Sequence, residues 1–220
     1  MKPRFSNQTN HALTLIEVLL VIVVVVIVLL VVLLLPALHQ AKVKAQRIFC
    51  NNNVKQIGLS FRVWEGETNL YPMSVSTNLG GTLEYVASSE MFRHFQVMSN
   101  ELSTPLILVC PADVRQPATD IGQTFGNSNV SYFVGLDAED AKPQTILSGD
   151  RNIAGGMMKN GVLEITRNDP VGWSSELHGG IGNIAFADGS VQQTTSRKTS
   201  WNLRELIGQT GLATNRLAIP

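Results

Sequence analysis

The chain has little of what announces a nucleic-acid binder or a hydrolytic enzyme. It has no charge surplus: lysine and arginine total 17 and aspartate and glutamate total 17 among 220 residues. A binder that works by broad phosphate neutralisation needs a basic excess, so that class is excluded and no nucleic-acid partner is expected. Two cysteines are too few for a disulfide-rich miniprotein or a four-cysteine zinc site. Catalytic signatures are missing as well: no G-x-S-x-G elbow, no H-E-x-x-H and no C-x-x-C occurs, and the chain reads as a non-enzyme. The histidines at 11, 39, 94 and 178 are too scattered to mark a metal centre, and none is assigned. Glycine is absent before Gly58, and Pro36 is the only proline between Phe5 and Tyr71. The first third is therefore free of strong helix breakers, whereas the remainder is rich in turn formers.

What is present is a long hydrophobic run. Val18 to Leu35 reads VLLVIVVVVIVLLVVLLL without a polar residue, and extending it back to Leu13 adds one charge, Glu17. At ~1.5 Å per residue this segment, as a helix, is about 34 Å long, enough to cross a hydrocarbon core of about 30 Å. Lipid offers the backbone no hydrogen-bond partner, so a lone spanning segment must be helical despite its many valines. The run exceeds the ~7–15 residues of a removable secretory signal, and the PALHQAKVKAQR that follows is a poor cleavage site. The segment is expected to stay in the mature chain. Lys2 and Arg4 precede it and Lys42, Lys44 and Arg47 follow it, so charge alone does not settle its orientation.

Glu17 is the most informative residue. A carboxylate inside a membrane helix costs ~2.5–3.5 kcal/mol on insertion scales and calls for a partner or a purpose. Proximity to the positive end of the helix dipole is the purely structural reading. Beyond Pro36, expected to kink or loosen the helix, Cys50, Val54, Ile57, Phe61 and Trp64 recur at spacings of four, three, four and three. That period traces one face of a helical stem that docks a head. The chain thus divides into a leader over 1–12, a membrane helix over 13–35, an amphipathic stem over 36–64 and a β-rich head over 65–220. The fold class is α+β, a long N-terminal helix packed on an antiparallel, β-rich head. Strands are expected at 106–110, 130–134, 145–147 and 162–165. A hairpin pairing 183–187 with 190–194 should turn on Asp188-Gly189, a favoured tight-turn dipeptide.

The string HALTLIEVLLVIVVVVIVLLVVLLLPAL resembles the signal shared by type IV pilins and type II secretion pseudopilins. That signal reads small residue, hydrophobic residue, then T-L-I-E. The resemblance implies cutting by a prepilin peptidase between Ala12 and Leu13, methylation of the new amine, and a role for Glu17 in subunit assembly. Ala12 replaces the usual glycine and Leu13 the usual phenylalanine or methionine. The stem through CNNNVKQIGL, and the pattern of a histidine, nine residues and Asp-Gly at His178, Asp188 and Gly189, are similar to pilin-like proteins of planctomycete and verrucomicrobial bacteria. The resemblance implies a non-enzymatic filament subunit, pilin or pseudopilin, in the bacterial inner membrane. Its head would lie in the periplasm or, in a fibre, outside the cell. The implied partners are the peptidase, identical or related subunits, and an assembly platform with its ATPase. The rival reading is a single-pass anchor displaying an exported binding domain, for instance for glycan.

Three further sets were weighed from residue types. His178 and Asp188 can be cast as an acid–base pair or as supports of a loop and a hairpin; Asp-Gly and His-Gly-Gly favour structure. Asp137, Glu139 and Asp140, or Asp150 with Asn152, carry oxygens of the kind calcium prefers, against the simpler reading of solvated loops. Cys50 and Cys110 are either bridged in an exported head or two buried thiols. A bridge would be worth ~4 kcal/mol on the loop-entropy view.

Overall fold

The computed structural model describes residues 14–196 and 202–220. The expected processing site, Ala12 and Leu13, lies outside the described residues. Helix α1 runs from Leu15 to Thr68, 54 residues, with Pro36 inside it. The expected loosening at Pro36 does not end the helix: a proline deletes one donor, while the neighbouring turns keep theirs.

The chain forms two compact units, Met1–Lys42 and Val43–Pro220. In the first, every described residue is exposed, including the whole apolar run. One helix is therefore long and apolar enough, by length and composition, to cross a membrane.

The second unit holds the remainder of α1 and an α+β head, as expected. Strands β1 (Tyr132–Gly135), β2 (Ile146–Asp150), β4 (Met157–Lys159), β5 (Val162–Thr166), β7 (Ile181–Phe186), β8 (Val191–Thr195) and β9 (Thr214–Ala218) form one sheet. Their order is β4-β5-β9-β1-β2-β7-β8, and every pairing is antiparallel. A small ribbon joins β3 (Ile153–Ala154) to β6 (Gly172–Trp173). Helix α2 is a single turn at Arg93–Gln96, and α3 spans Leu203–Gln209.

The central strands β1, β2 and β7 are buried on both faces, and the period of two along them explains how. Tyr132, Val134, Ala185 and Ala187 point to one core with Cys50, Val54, Ile57, Phe61 and Trp64 of α1. Phe133, Ile184 and Phe186 point to a second core under Leu203, Leu206 and Ile207 of α3. The predicted stem stripe is buried throughout, and Gly58 and Ser60 are buried beside it. Helix and sheet approach closely where Gly58 meets Ala185: a β-carbon added at Gly58 would lie 3.6 Å from the Ala185 methyl.

Three expectations change. Residues 106–110 are not a strand. Pro105 opens a 3-10 turn over Pro105–Leu108, and the Thr104 hydroxyl accepts from the Leu106 amide at 3.3 Å. The same residues still reach the core, for Ile107, Leu108 and Cys110 are buried. The β7–β8 hairpin is one residue longer than expected. Phe186 pairs with Ser190 and the Gly189 amide returns to the Phe186 carbonyl at 2.9 Å, so Ala187, Asp188 and Gly189 make a three-residue loop. Ala187 cannot join the ladder because its amide donates to Thr145 O and its carbonyl accepts the Tyr71 hydroxyl, each at 3.0 Å. Gly189 at φ 83° occupies the left-handed position that this loop type requires. Finally, β3, β4, β6, β9, α2 and α3 were not foreseen; β4 and β9 complete the sheet and α3 covers its second face.

Candidate functional site

Two places carry chemistry. The first is the start of α1. Glu17 lies in its first turn, its amide bonded to Thr14 O at 3.1 Å and to the Thr14 hydroxyl at 3.4 Å. Among the described residues its carboxylate has no hydrogen-bond or ion-pair partner, and it is the single acid in an exposed apolar surface.

The second is a buried polar cluster where the stem crosses the sheet. Cys50 of α1 is bonded to Cys110, which follows the 3-10 turn, with 5.3 Å between their α-carbons. The bridge reading therefore holds, and helix and head are tied across 60 residues of chain. His178, in the loop before β7, places Nε2 3.3 Å from Cys110 Sγ and 4.0 Å from Asp150 Oδ2. Asp150, at the end of β2, is fully buried. Its Oδ2 accepts from both the amide and the side chain of Asn183 at 2.8 Å, while Oδ1 has no partner. Asn183 Oδ1 in turn accepts from Asn51 of α1 and Gln193 of β8, each at 3.2 Å. Asn51 and Asn53, weak helix formers, thus serve as donors from the stem. Asn53 Nδ2 reaches Val109 O at 3.2 Å and the Tyr132 hydroxyl at 3.3 Å.

Electrostatics follow from this burial. Desolvation pushes the Asp150 carboxyl up to about 7, against the two bonds from Asn183 that favour its charged form. Burial, reinforced by the Arg47 guanidinium, holds the His178 imidazole below its ordinary value. Burial also drives the Tyr132 phenol well up, with Asp150 adding to the effect. Beside the cluster, Asp113 would be raised by burial, but the two hydrogen bonds from Arg151 outweigh that and leave its carboxyl low. Lys44, Arg47, Ile48, Asn51 and Gln193 line a cavity of about 420 Å³ at the polar edge of the cluster. Arg47 Nε is buried there without a partner.

The arrangement supports structure and ligation better than acid–base turnover, because the His178 and Asp150 side chains are 1% and 0% exposed. His178 and Asp188 do not meet, since β7 lies between them. Asp188 Oδ1 accepts from Ser190 N at 2.7 Å, and its carbonyl from Arg62 Nη1 at 2.7 Å, so it is a hairpin residue. The acidic sets with calcium-type oxygens are engaged only in part, for Asp150 and Asn152 each keep one buried side-chain oxygen without a partner. Asp137 pairs with Arg216 at 2.5 Å, Glu139 with Lys142 at 2.9 Å, and Asn152 Nδ2 donates to Ser174 O at 3.0 Å. Sequence reasoning missed the grouping of His178 with both cysteines, the one set of three metal-ligand residue types drawn together among the described residues, whose sulfurs are here bonded to each other.

No protein-family model, curated protein or solved structure matches the chain.

Proposed function

We propose that the chain is a filament subunit of the type IV pilin or type II secretion pseudopilin kind. A prepilin peptidase cuts it between Ala12 and Leu13 on the cytoplasmic side. The mature chain is held in the bacterial inner membrane by the apolar part of α1, with the head on the periplasmic side. Assembly machinery with an ATPase then moves subunits from lipid into a fibre. The observation that carries this reading is the first helix: an apolar surface from Val18 to Leu35, exposed throughout, with one acid a turn from its start. In lipid that acid is costly. Against a neighbouring chain's α-ammonium at Leu13 it gains a partner of opposite charge in a low-dielectric setting.

Mass spectrometry of the N-terminus tests the proposal. Chain purified from membranes of cells carrying a prepilin peptidase should begin at Leu13 and carry a methyl group on its amine. A chain that begins at Met1 or Lys2 in those cells would leave a single-pass anchor displaying a binding domain as the better reading.

A further inference from the structure

The two sulfurs of the disulfide and one histidine nitrogen together make a ligand set that the bridge ties up. Both Sγ atoms and His178 Nε2 lie within 4.8 Å of one another and all three residues are buried. They arrive from α1, the segment after the 3-10 turn, and the loop before β7, so three separate parts of the fold converge on one point. Asp150 adds a fully buried carboxylate whose Oδ2 is 4.0 Å from that imidazole nitrogen and whose Oδ1 is bare. Arg47 adds a buried, unpartnered guanidinium nitrogen.

We infer that, when the bridge is reduced, Cys50, Cys110 and His178 bind one borderline-soft divalent ion of the zinc class, with the Asp150 carboxylate beside the imidazole but outside that set of three. Tetrahedral zinc takes sulfur at ~2.3 Å, nitrogen at ~2.0–2.1 Å and carboxylate oxygen at ~2.0–2.2 Å. Those radii place ligand atoms about 3.3–3.8 Å apart; Cys110 Sγ and His178 Nε2, 3.3 Å apart, already stand at that spacing, and reduction lets the two sulfurs part to reach it. Two thiolates and a carboxylate around a dication leave one negative charge, and Arg47 supplies the compensating cation. The chemistry balances. A phosphine or dithiol reductant gives two electrons to the sulfur–sulfur bond, and water or the dithiol supplies two protons, yielding two thiols. The metal ion then displaces those two protons as it forms two metal–thiolate bonds. Returning the two electrons to an oxidant re-forms the bridge and expels the ion. The ion would thus hold stem to sheet before the bridge closes.

The test uses the full chain in detergent, reduced anaerobically with a phosphine and titrated with Co²⁺ and then Zn²⁺. One Co²⁺ per chain should bind, with a thiolate-to-cobalt charge-transfer band and tetrahedral visible bands. Zn²⁺ should displace it, and a thiol oxidant should release it. His178→Ala should weaken binding at least tenfold, and Asp150→Asn by about 10–100-fold. His178→Cys, which restores a ligand, should keep a tetrahedral spectrum with added thiolate intensity. Absence of a tetrahedral Co²⁺ spectrum in the reduced wild type, folded or not, overturns the inference. So does equal affinity in His178→Ala, which would mean that a bare dithiol binds the ion.

Discussion

Arg151 grips Asp113 with two parallel hydrogen bonds, Nε to Oδ2 at 2.8 Å and Nη2 to Oδ1 at 3.0 Å. The pair ties the segment just after Cys110 to the residue just after β2, and the Asp113 side chain is 1% exposed. Removing the cation leaves a buried carboxylate with only the long bond from the Arg115 amide, at 3.4 Å, a defect of about 3–5 kcal/mol. Arg151→Ala should therefore lower stability by that much in chemical denaturation followed by tryptophan fluorescence. Arg151→Lys should recover only part, since an ammonium cannot reproduce the fork. A loss below ~1 kcal/mol, the range of exposed pairs, would show that solvent reaches this carboxylate after all.

The Cys50–Cys110 bridge closes 60 residues, and the loop-entropy view gives it ~4 kcal/mol. Cys50→Ser with Cys110→Ser should destabilise the chain by about that amount. Protein extracted under thiol-blocking conditions should take no label without prior reduction. Labelling of both thiols in such protein would contradict the bridge.

His94 is fully buried, with Nδ1 2.7 Å from the Thr82 hydroxyl and Nε2 unpartnered. Burial lowers its pKa from 6.5 to about 4. Between those values the unfolded chain binds the proton and the folded chain does not. Its contribution is present above the unfolded value and is lost as pH falls towards 4, on the order of 3 kcal/mol across the window. Asp150, raised by burial, acts with the opposite sign, so the comparison of wild type with His94→Gln is the readout. The variant should lose stability less steeply between pH 6.5 and 4; an identical pH slope would remove His94 from the account.

Two glycines should respond oppositely to alanine. At Gly182 a β-carbon would meet the Trp173 ring at 2.4 Å, and such overpacking costs about 1–3 kcal/mol. At Gly66, in the last turns of α1, nothing lies within 4 Å, and alanine should gain about 0.5–1 kcal/mol through helix propensity. Thermal melts of the two variants check both signs. Equal shifts would mean that the tryptophan yields without cost.

Glu17→Val separates the two functional readings. It removes the only charge between Leu13 and Leu35, so membrane insertion should become easier. A plain anchor would tolerate it, whereas a filament subunit would leave a neighbour's α-ammonium unpaired at the subunit contact. Cysteine crosslinking along the helix, or fibre yield after shearing, should fall to background at matched membrane levels. Equal self-association in mutant and wild type would strip Glu17 of its assembly role.

What the sequence determined by itself was periodic. The apolar run, the stem stripe from Cys50 to Trp64, and the alternating strands around Phe133, Ile146 and Ile184 are legible because one repeat, 3.6 or 2, fixes which side chains share a face. Asp188-Gly189 announced its hairpin for the same local reason. The third residue of that loop was decided by Thr145 and Tyr71, which claim the backbone of Ala187 from elsewhere in the fold. Residues 106–110 look like a strand by composition, yet Pro105 winds them into a 3-10 turn, and only packing tells that they stay buried. The polar cluster belongs wholly to tertiary structure. Cys50 meets Cys110 across 60 residues, Cys110 meets His178 across 68, and Asp150 meets Asn183 across 33. No local pattern encodes such meetings: antiparallel pairing of β2 with β7 and docking of the stem bring these groups together, and burial then sets their charge.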